Sequence, residues 1–238
     1  MLRAVAFLTP FGRAGVPTPR TLDALPPVGA LIGLAVGGVW WAADRLWAAP
    51  VAAALAVAAD AAFTGCLHLD GLADSADGLL PPLDRARRLT VMRDPAVGAF
   101  GAVTLVVVLL VRVAALASVH PTPLLIASLW CASRTAMALI ARTMRYARDT
   151  GGLVSAFGAV DAAGARWAVP LLAGTVIAVP LALLGQGWRG LITLAVAACG
   201  AAVVAALARA RLGGFTGDVL GAAGVIAETA GLLALAAR

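Results

Sequence analysis

Apolar residues in this chain run in long blocks, not in the alternating or single-faced patterns of water-soluble elements. Seven stretches stand out, approximately 24–43, 46–67, 97–119, 121–141, 167–185, 190–208 and 219–237. Each approaches the roughly 20 apolar residues that a bilayer-crossing helix requires. Pro170 and Pro180 stand in the fifth block, where proline is tolerated because neighbouring groups re-satisfy the freed backbone. The seventh block is rich in small residues and carries Glu228. With no internal repeat to divide it, the pattern predicts an all-α, polytopic membrane bundle of about seven helices, one domain over residues 1–238.

Composition agrees with that pattern and removes the alternatives. Of 238 residues, 62% are hydrophobic and only 13% charged, with a mean hydropathy of +0.96. A soluble domain carries about a quarter charged residues, so this chain could not cover a water-facing surface. Disorder and a collagen-like fibre are excluded. Cys66, Cys131 and Cys199 lie singly in apolar runs, which speaks against structural disulfides and a thiolate metal site. The opening MLRAVAFLTPFGRAG has too short an apolar core for a signal peptide, and none is expected.

All 18 basic residues are arginine, set against 12 acids for a net charge of +6. Their distribution fixes an expected orientation. With the N-terminus cytoplasmic, thirteen arginines fall in inner segments and three in outer ones, the bias that cytoplasmic loops show. No arginine-and-aromatic stripe suits a nucleic-acid backbone, so the expected partners are the lipid bilayer and small molecules. Self-association into a homo-oligomer is left open. The long connections, 68–96 and 142–166, both face inward on this layout, and connections of that length are usually functional or disordered.

The richest stretch is Gly65-Cys-Leu-His-Leu-Asp-Gly-Leu-Ala-Asp-Ser-Ala-Asp-Gly78. Asp70, Asp74 and Asp77 stand at i, i+4 and i+7, which on a helix puts three carboxylates on one face. No base lies among them, so a hard cation such as Mg²⁺ is the natural compensation, bridging carboxylates to substrate phosphates. The plain alternative is a solvated acidic helix end. His68, two residues before Asp70, is a catalytic candidate set against the more common part of an interfacial hydrogen-bonding residue.

A second cluster is Arg93-Asp-Pro-Ala-Val-Gly-Ala-Phe-Gly101. Pro95 biases Asp94 toward a turn, and Gly98 and Gly101 would let backbone approach a ligand, offering N–H groups to phosphate oxygens. A third, 211–221, places Gly217 and Asp218 at the glycine-rich start of the last span, where Asp218 suits a cap or a ligand. Asp60, Arg134 and Glu228 lie in apolar blocks at roughly 10–14 Å depth, and buried charges of this kind are functional candidates. Arg112, near an outer end, is expected to snorkel. The clusters converge on an inward-facing cavity with carboxylates Asp70, Asp74, Asp77, Asp94 and Asp218 and guanidinium groups Arg93, Arg134 and Arg145. That set suits metal-assisted phosphoryl transfer, with arginine holding phosphate oxygens.

In order along the chain, HLDGLADSADGL, MRDPAVGAFG, SRTAM, YARDTGGLVSAF and LGGFTGDVLGA resemble the cobalamin synthase family, the adenosylcobinamide-GDP ribazoletransferases of vitamin B12 nucleotide-loop assembly. The resemblance runs from about Pro26 to Glu228. It implies an integral inner-membrane transferase that requires Mg²⁺ and joins adenosylcobinamide-GDP to α-ribazole or its 5′-phosphate, releasing GMP. On that basis Asp70, Asp74 and Asp77 are expected to hold the metal. Arg93, Arg134 and Arg145, with the backbone at Gly98, Gly101 and Gly217, would bind the diphosphate. Asp94 or Asp218 would complete the metal shell or take the hydroxyl proton.

Two other readings carry their own signals. Asp74-Ser-Ala-Asp77-Gly78 matches the opening of the CDP-alcohol phosphotransferase motif, but Pro81-Pro82 and Val91 break its continuation. Seven spans with buried charges would also serve a transporter, although the short outer connections offer little to admit a solute.

Overall fold

The computed structural model describes residues 1–11, 18–148 and 165–237, and its described residues are helical with no strand among them. Two short helices, α1 (Leu2–Leu8) and α2 (Pro19–Asp23), precede α3 (Leu25–Ala43) and α4 (Ala49–Thr64). Then follow α5 (Leu67–Leu79), α6 (Arg85–Val91), α7 (Ala99–Ala117) and α8 (Pro123–Thr143). A 3-10 turn at Ala165–Trp167 leads into α9 (Ala168–Gln186), α10 (Trp188–Leu212) and α11 (Gly217–Ala236).

Six of these, α3, α7, α8, α9, α10 and α11, are long and apolar enough to cross a membrane. The block expected to cross over 46–67 passes the same test only together with α5, as a bent pair, so the crossing helices number six, or seven if that pair is one span. Helix α4 has 16 residues, about 24 Å at 1.5 Å per residue, and α5 leaves it at 91°. Gly65 and Cys66 make the corner, both at positive φ (58° and 59°). Connection 68–96 is therefore no open loop: it is mostly α5 and α6.

Helices α8 and α11 form the centre, with 78% and 72% of their apolar windows buried against 22–28% for α7, α9 and α10. The peripheral helices turn Val103, Val106, Leu110, Leu172, Val176 and Val203 outward, as lipid contact requires. Helix α3 lies directly on α8 through Gly29, Gly33 and Gly37. A Cβ at each would stand 2.5–2.7 Å from Trp130, Ile126 and Pro123 backbone atoms. This is small-residue packing, which lets backbones approach where lipid gives no hydrophobic drive. At that same end of the bundle, exposed Trp41, Trp47 and Trp188 mark an interface, and the Arg45 guanidinium lies 3.5 Å over the Trp41 ring.

Several arginines counted as loop charge at the other end close helix C-termini. Arg88 donates to the Gly78 and Leu79 carbonyls at 2.7 and 2.9 Å, and Arg211 donates to those of Leu79 and Leu80. Arg85 donates to Leu212 and Ala147 carbonyls at 2.8 and 2.7 Å. The last carbonyls of a helix lack intrahelical partners and carry partial negative charge, which a guanidinium answers.

Candidate active site

The α4–α5 corner lays α5 across the start of α11. Contact is close because both helices present glycine: a Cβ on Gly71 would stand 2.9 Å from the Asp218 carbonyl, and one on Gly221 would stand 3.2 Å from His68 Cα. The chain after α8 is tied to the same place. Ala147 N–H donates to the Phe215 carbonyl and Phe215 N–H to the Arg145 carbonyl, at 2.8 and 2.9 Å. Tyr146 and Phe215 rings meet edge to face at 5.6 Å. That bridge brings Arg148 to Asp218.

The result is a cavity of about 420 Å³ whose polar lining includes His68, Asp70, Tyr146, Arg148 and Asp218, with Gly217, Phe7, Pro10, Met137 and Leu220 among its other walls. Arg148 Nη2 donates to Asp218 Oδ2 at 2.8 Å and to the Met92 carbonyl at 3.2 Å. The Thr216 hydroxyl meets the same Oδ2 at 3.1 Å. Asp70 is exposed and Asp74 half-buried. Helix α5 turns off α4 at 91° and leaves Asp70 exposed, so its carboxyls feel both solvent and one another. Burial, and after it the Asp218 and Asp70 carboxylates, push the Asp74 carboxyl up to about 7, against the pull of Arg148. Excess negative charge is the property of this site.

His68 is buried in the wall with neither ring nitrogen bonded. Burial holds its imidazole well below the usual range, with Arg134 and Arg112 adding to the effect. It is neutral.

Other expected site residues are placed elsewhere. Asp77 is buried and turned into α7: its Oδ2 accepts from Gly98 N–H at 2.7 Å and its Oδ1 from Gly101 N–H at 2.9 Å. The amides expected to meet phosphate are thus given to Asp77, which caps α7 from a neighbouring helix. Side chains at Gly98 and Gly101 would overlap that carboxylate, which accounts for both glycines. Arg93 and Asp94 are exposed, and Asp94 Oδ1 accepts from Ala96 N–H at 3.0 Å in its own turn. Arg145 is exposed beside the cavity-lining Tyr146. Positions 149–157 of the fourth motif lie outside the described residues.

Arg134 belongs to a second charged assembly, within the bundle. It pairs with Glu228 Oε1 and donates to Ser133 Oγ at 2.7 Å; Ser133 in turn donates to Glu228 Oε1 at 2.8 Å. Arg112 does not snorkel. It is 1% exposed, and its Nη2 lies 3.0 Å from both Asp60 Oδ2 and Glu228 Oε2. Trp130 Nε1 donates to Asp60 Oδ1 at 2.8 Å. Two cations and two anions close on one another.

Arg148 and Tyr146 are the cavity residues that sequence reasoning passed over. The signal was present in YARD, directly after the chosen Arg145.

Fold and site together define a polytopic α-helical membrane protein with an acidic cavity at one end of its bundle. More particularly, the chain belongs to the cobalamin-5-phosphate synthase family, whose match covers residues 1–236. Similar proteins named adenosylcobinamide-GDP ribazoletransferase include one from Nocardioides, 40% identical over 93% of this chain and 89% of its own. Others are from Bradyrhizobium diazoefficiens, 38% identical over 92% and 83%, and Citrobacter koseri, 36% identical over 91% and 87%. No solved structure matches.

Proposed function

We propose that this chain is an adenosylcobinamide-GDP ribazoletransferase, moving the phosphocobinamide group of adenosylcobinamide-GDP onto α-ribazole or its 5′-phosphate and releasing GMP. The observation that carries this reading is the cavity that Asp70, Asp218 and Arg148 line together, in a chain of this family. The ribazole 3′-hydroxyl oxygen bonds to the phosphorus nearer the corrinoid. The bond from that phosphorus to the bridging oxygen breaks, and GMP leaves with that oxygen.

Asp218 is suited to take the hydroxyl proton. Its bonds to Arg148 and Thr216 both fall on Oδ2, which leaves Oδ1 to accept that proton. Arg148, held by Asp218 and the Met92 carbonyl, is the guanidinium best placed to hold a phosphate oxygen. Arg93 and Arg145 are exposed next to Met92 and Tyr146 and are assigned outer contacts with the diphosphate. His68, in the cavity wall with both ring nitrogens unbonded, can offer a hydrogen bond to the substrate. Arg134, committed to Glu228, is withdrawn from the diphosphate and serves the packing of the bundle.

The donor set fits Mg²⁺. Among the described residues no three His, Cys, Asp or Glu side chains gather into a cage, and Mg²⁺ asks for less, using one or two carboxylates, waters and substrate phosphates. Asp70 and Asp74, mutually repelling, would hold it, and the bound ion would neutralise charge developing on the diphosphate. Asp77 is assigned to the start of α7 instead. The site is placed on the cytoplasmic face of the bacterial inner membrane, a reading supported by the thirteen-to-three arginine bias.

Membranes carrying the protein, given the activated corrinoid, ribazole and Mg²⁺, should release GMP only when both substrates are present. Asp218→Asn should cut that release about 100-fold or more. Corrinoid uptake without GMP release would refute the reading.

A further inference from the structure

The cavity that Asp70, Arg148 and Asp218 line continues inward past those three. His68, Met137, Leu220 and Gly221 line its inner part, and all four are buried, whereas Asp70 is exposed and Arg148 and Asp218 are half-buried. Met137 marks the depth. A Cβ on Gly224 would stand 3.1 Å from its Sδ, and Gly224 lies about 9 Å along α11 from Asp218 at 1.5 Å per residue. Phe7 of α1 and Pro10 just after it supply a further wall.

The walls of the inner part are thioether, alkyl and aromatic. Two hydroxyls of the lining are already committed: Thr64 donates to the Asp60 carbonyl and Thr9 to that of Val5, each at 2.7 Å. His68 is different, with both ring nitrogens buried and unbonded. A buried polar group without a partner is costly, and a ligand atom would complete it. Three parts of the two substrates compete for this place. The corrin macrocycle is too large for what remains of about 420 Å³ once a diphosphate is seated beside Arg148. Guanine carries acceptors at N7 and O6 and a donor at N2, and would bury them here against Met137 and Leu220 at a cost. The benzimidazole of α-ribazole is flat and apolar except for one free ring nitrogen, an acceptor that one imidazole N–H answers. Thioether sulfur also packs favourably on aromatic rings.

We infer that the inner part of the cavity seats the base of α-ribazole, its carbocycle against Met137, Leu220 and Phe7, and its free ring nitrogen accepting a hydrogen bond from the His68 imidazole. The ribose then lies between base and diphosphate, with its hydroxyl at Asp218. The inference rests on the ribazoletransferase reading and makes His68 a specificity-determining residue, remote from the reacting atoms.

The test compares α-ribazole with the α-riboside of dimethylindole, in which C–H replaces the free ring nitrogen, by GMP release from membranes carrying the full chain. The parent should use the indole analogue with kcat/KM about 10-fold lower, the effect of leaving a buried donor unpaired. His68→Phe should raise KM for α-ribazole about 10-fold, leave KM for the guanosine-linked corrinoid unchanged, and use the two ribosides equally. His68→Gln, which restores a donor, should recover part of the discrimination, and it carries the test with the parent if His68→Phe does not fold. Equal use of both ribosides by the parent, or full discrimination retained by either variant, would overturn the inference. So would a rise in KM for the corrinoid in place of α-ribazole, which would assign the inner part to guanine. These outcomes overturn the inference alone; a parent that releases no GMP with both substrates present would overturn the activity with it.

Discussion

Two charged assemblies lie close together in this molecule and are built from the same residue types. Within the bundle, Asp60, Arg112, Glu228 and Arg134 form a closed set, two positive and two negative, buried and mutually bonded. At the end of the bundle Asp70, Asp74 and Asp218 face one cation, Arg148. A closed set needs nothing more and holds helices α4, α7, α8 and α11 in register. An open set is electrostatically unfinished, and a cationic partner or a proton must complete it. The contrast separates structural charge from chemical charge.

The largest effect should come from opening the closed set. Glu228→Leu leaves Arg112 and Arg134 buried without their shared anion, and breaking a buried pair from one side costs about 3–5 kcal/mol. Thermal unfolding in detergent should show that loss, while GMP release per folded molecule stays near the parent value. A variant of unchanged stability with lost turnover would reverse the roles of the two assemblies.

Asp74→Asn makes the opposite test. Removing one like charge from the open set should leave stability equal or slightly higher, as at other strained functional sites. Turnover should fall about 100-fold or more, and more Mg²⁺ should be needed for half-activity. Normal turnover at ordinary Mg²⁺ would remove Asp74 from the proposed metal site.

Asp77→Ala separates capping from metal binding. Its carboxylate holds two amides at the start of α7, and losing such a cap costs about 1–2 kcal/mol. The Mg²⁺ dependence of the folded protein should be unchanged. A shift like that of Asp74→Asn would restore Asp77 as a ligand.

The spans were legible because crossing a bilayer imposes a length and an apolar content that local sequence must show. The corner at Gly65 and Cys66 was not, since it sits inside an apolar run and only its φ values reveal it. Spacing placed Asp70, Asp74 and Asp77 on one helical face, but α7 covers one end of that face and takes Asp77 for itself. Arg112 lies toward the outer end of its apolar block, which favoured snorkelling; its partners Asp60 and Glu228 are 52 and 116 residues away. No local pattern reports a contact of that range. That Arg148, and not Arg145, lines the cavity was hidden for a related reason. Which of the two faces the cavity is decided by the Tyr146–Phe215 bridge, made with a segment some seventy residues on.

The smallest effect should fall on the rim. Arg93 is exposed, so any bond it makes to a diphosphate competes with water and is screened by salt; exposed pairs contribute up to about 1 kcal/mol. An interaction of that kind is made equally with substrate and transition state, and its loss raises KM while leaving kcat alone. Arg93→Gln should therefore raise KM for the guanosine-linked corrinoid roughly threefold, less so at high salt, with kcat unchanged. A fall in kcat comparable to that of Asp218→Asn would mean that the Arg93 turn closes over the cavity during the reaction. The chemical assembly would then extend from α5 and α11 to the start of α7.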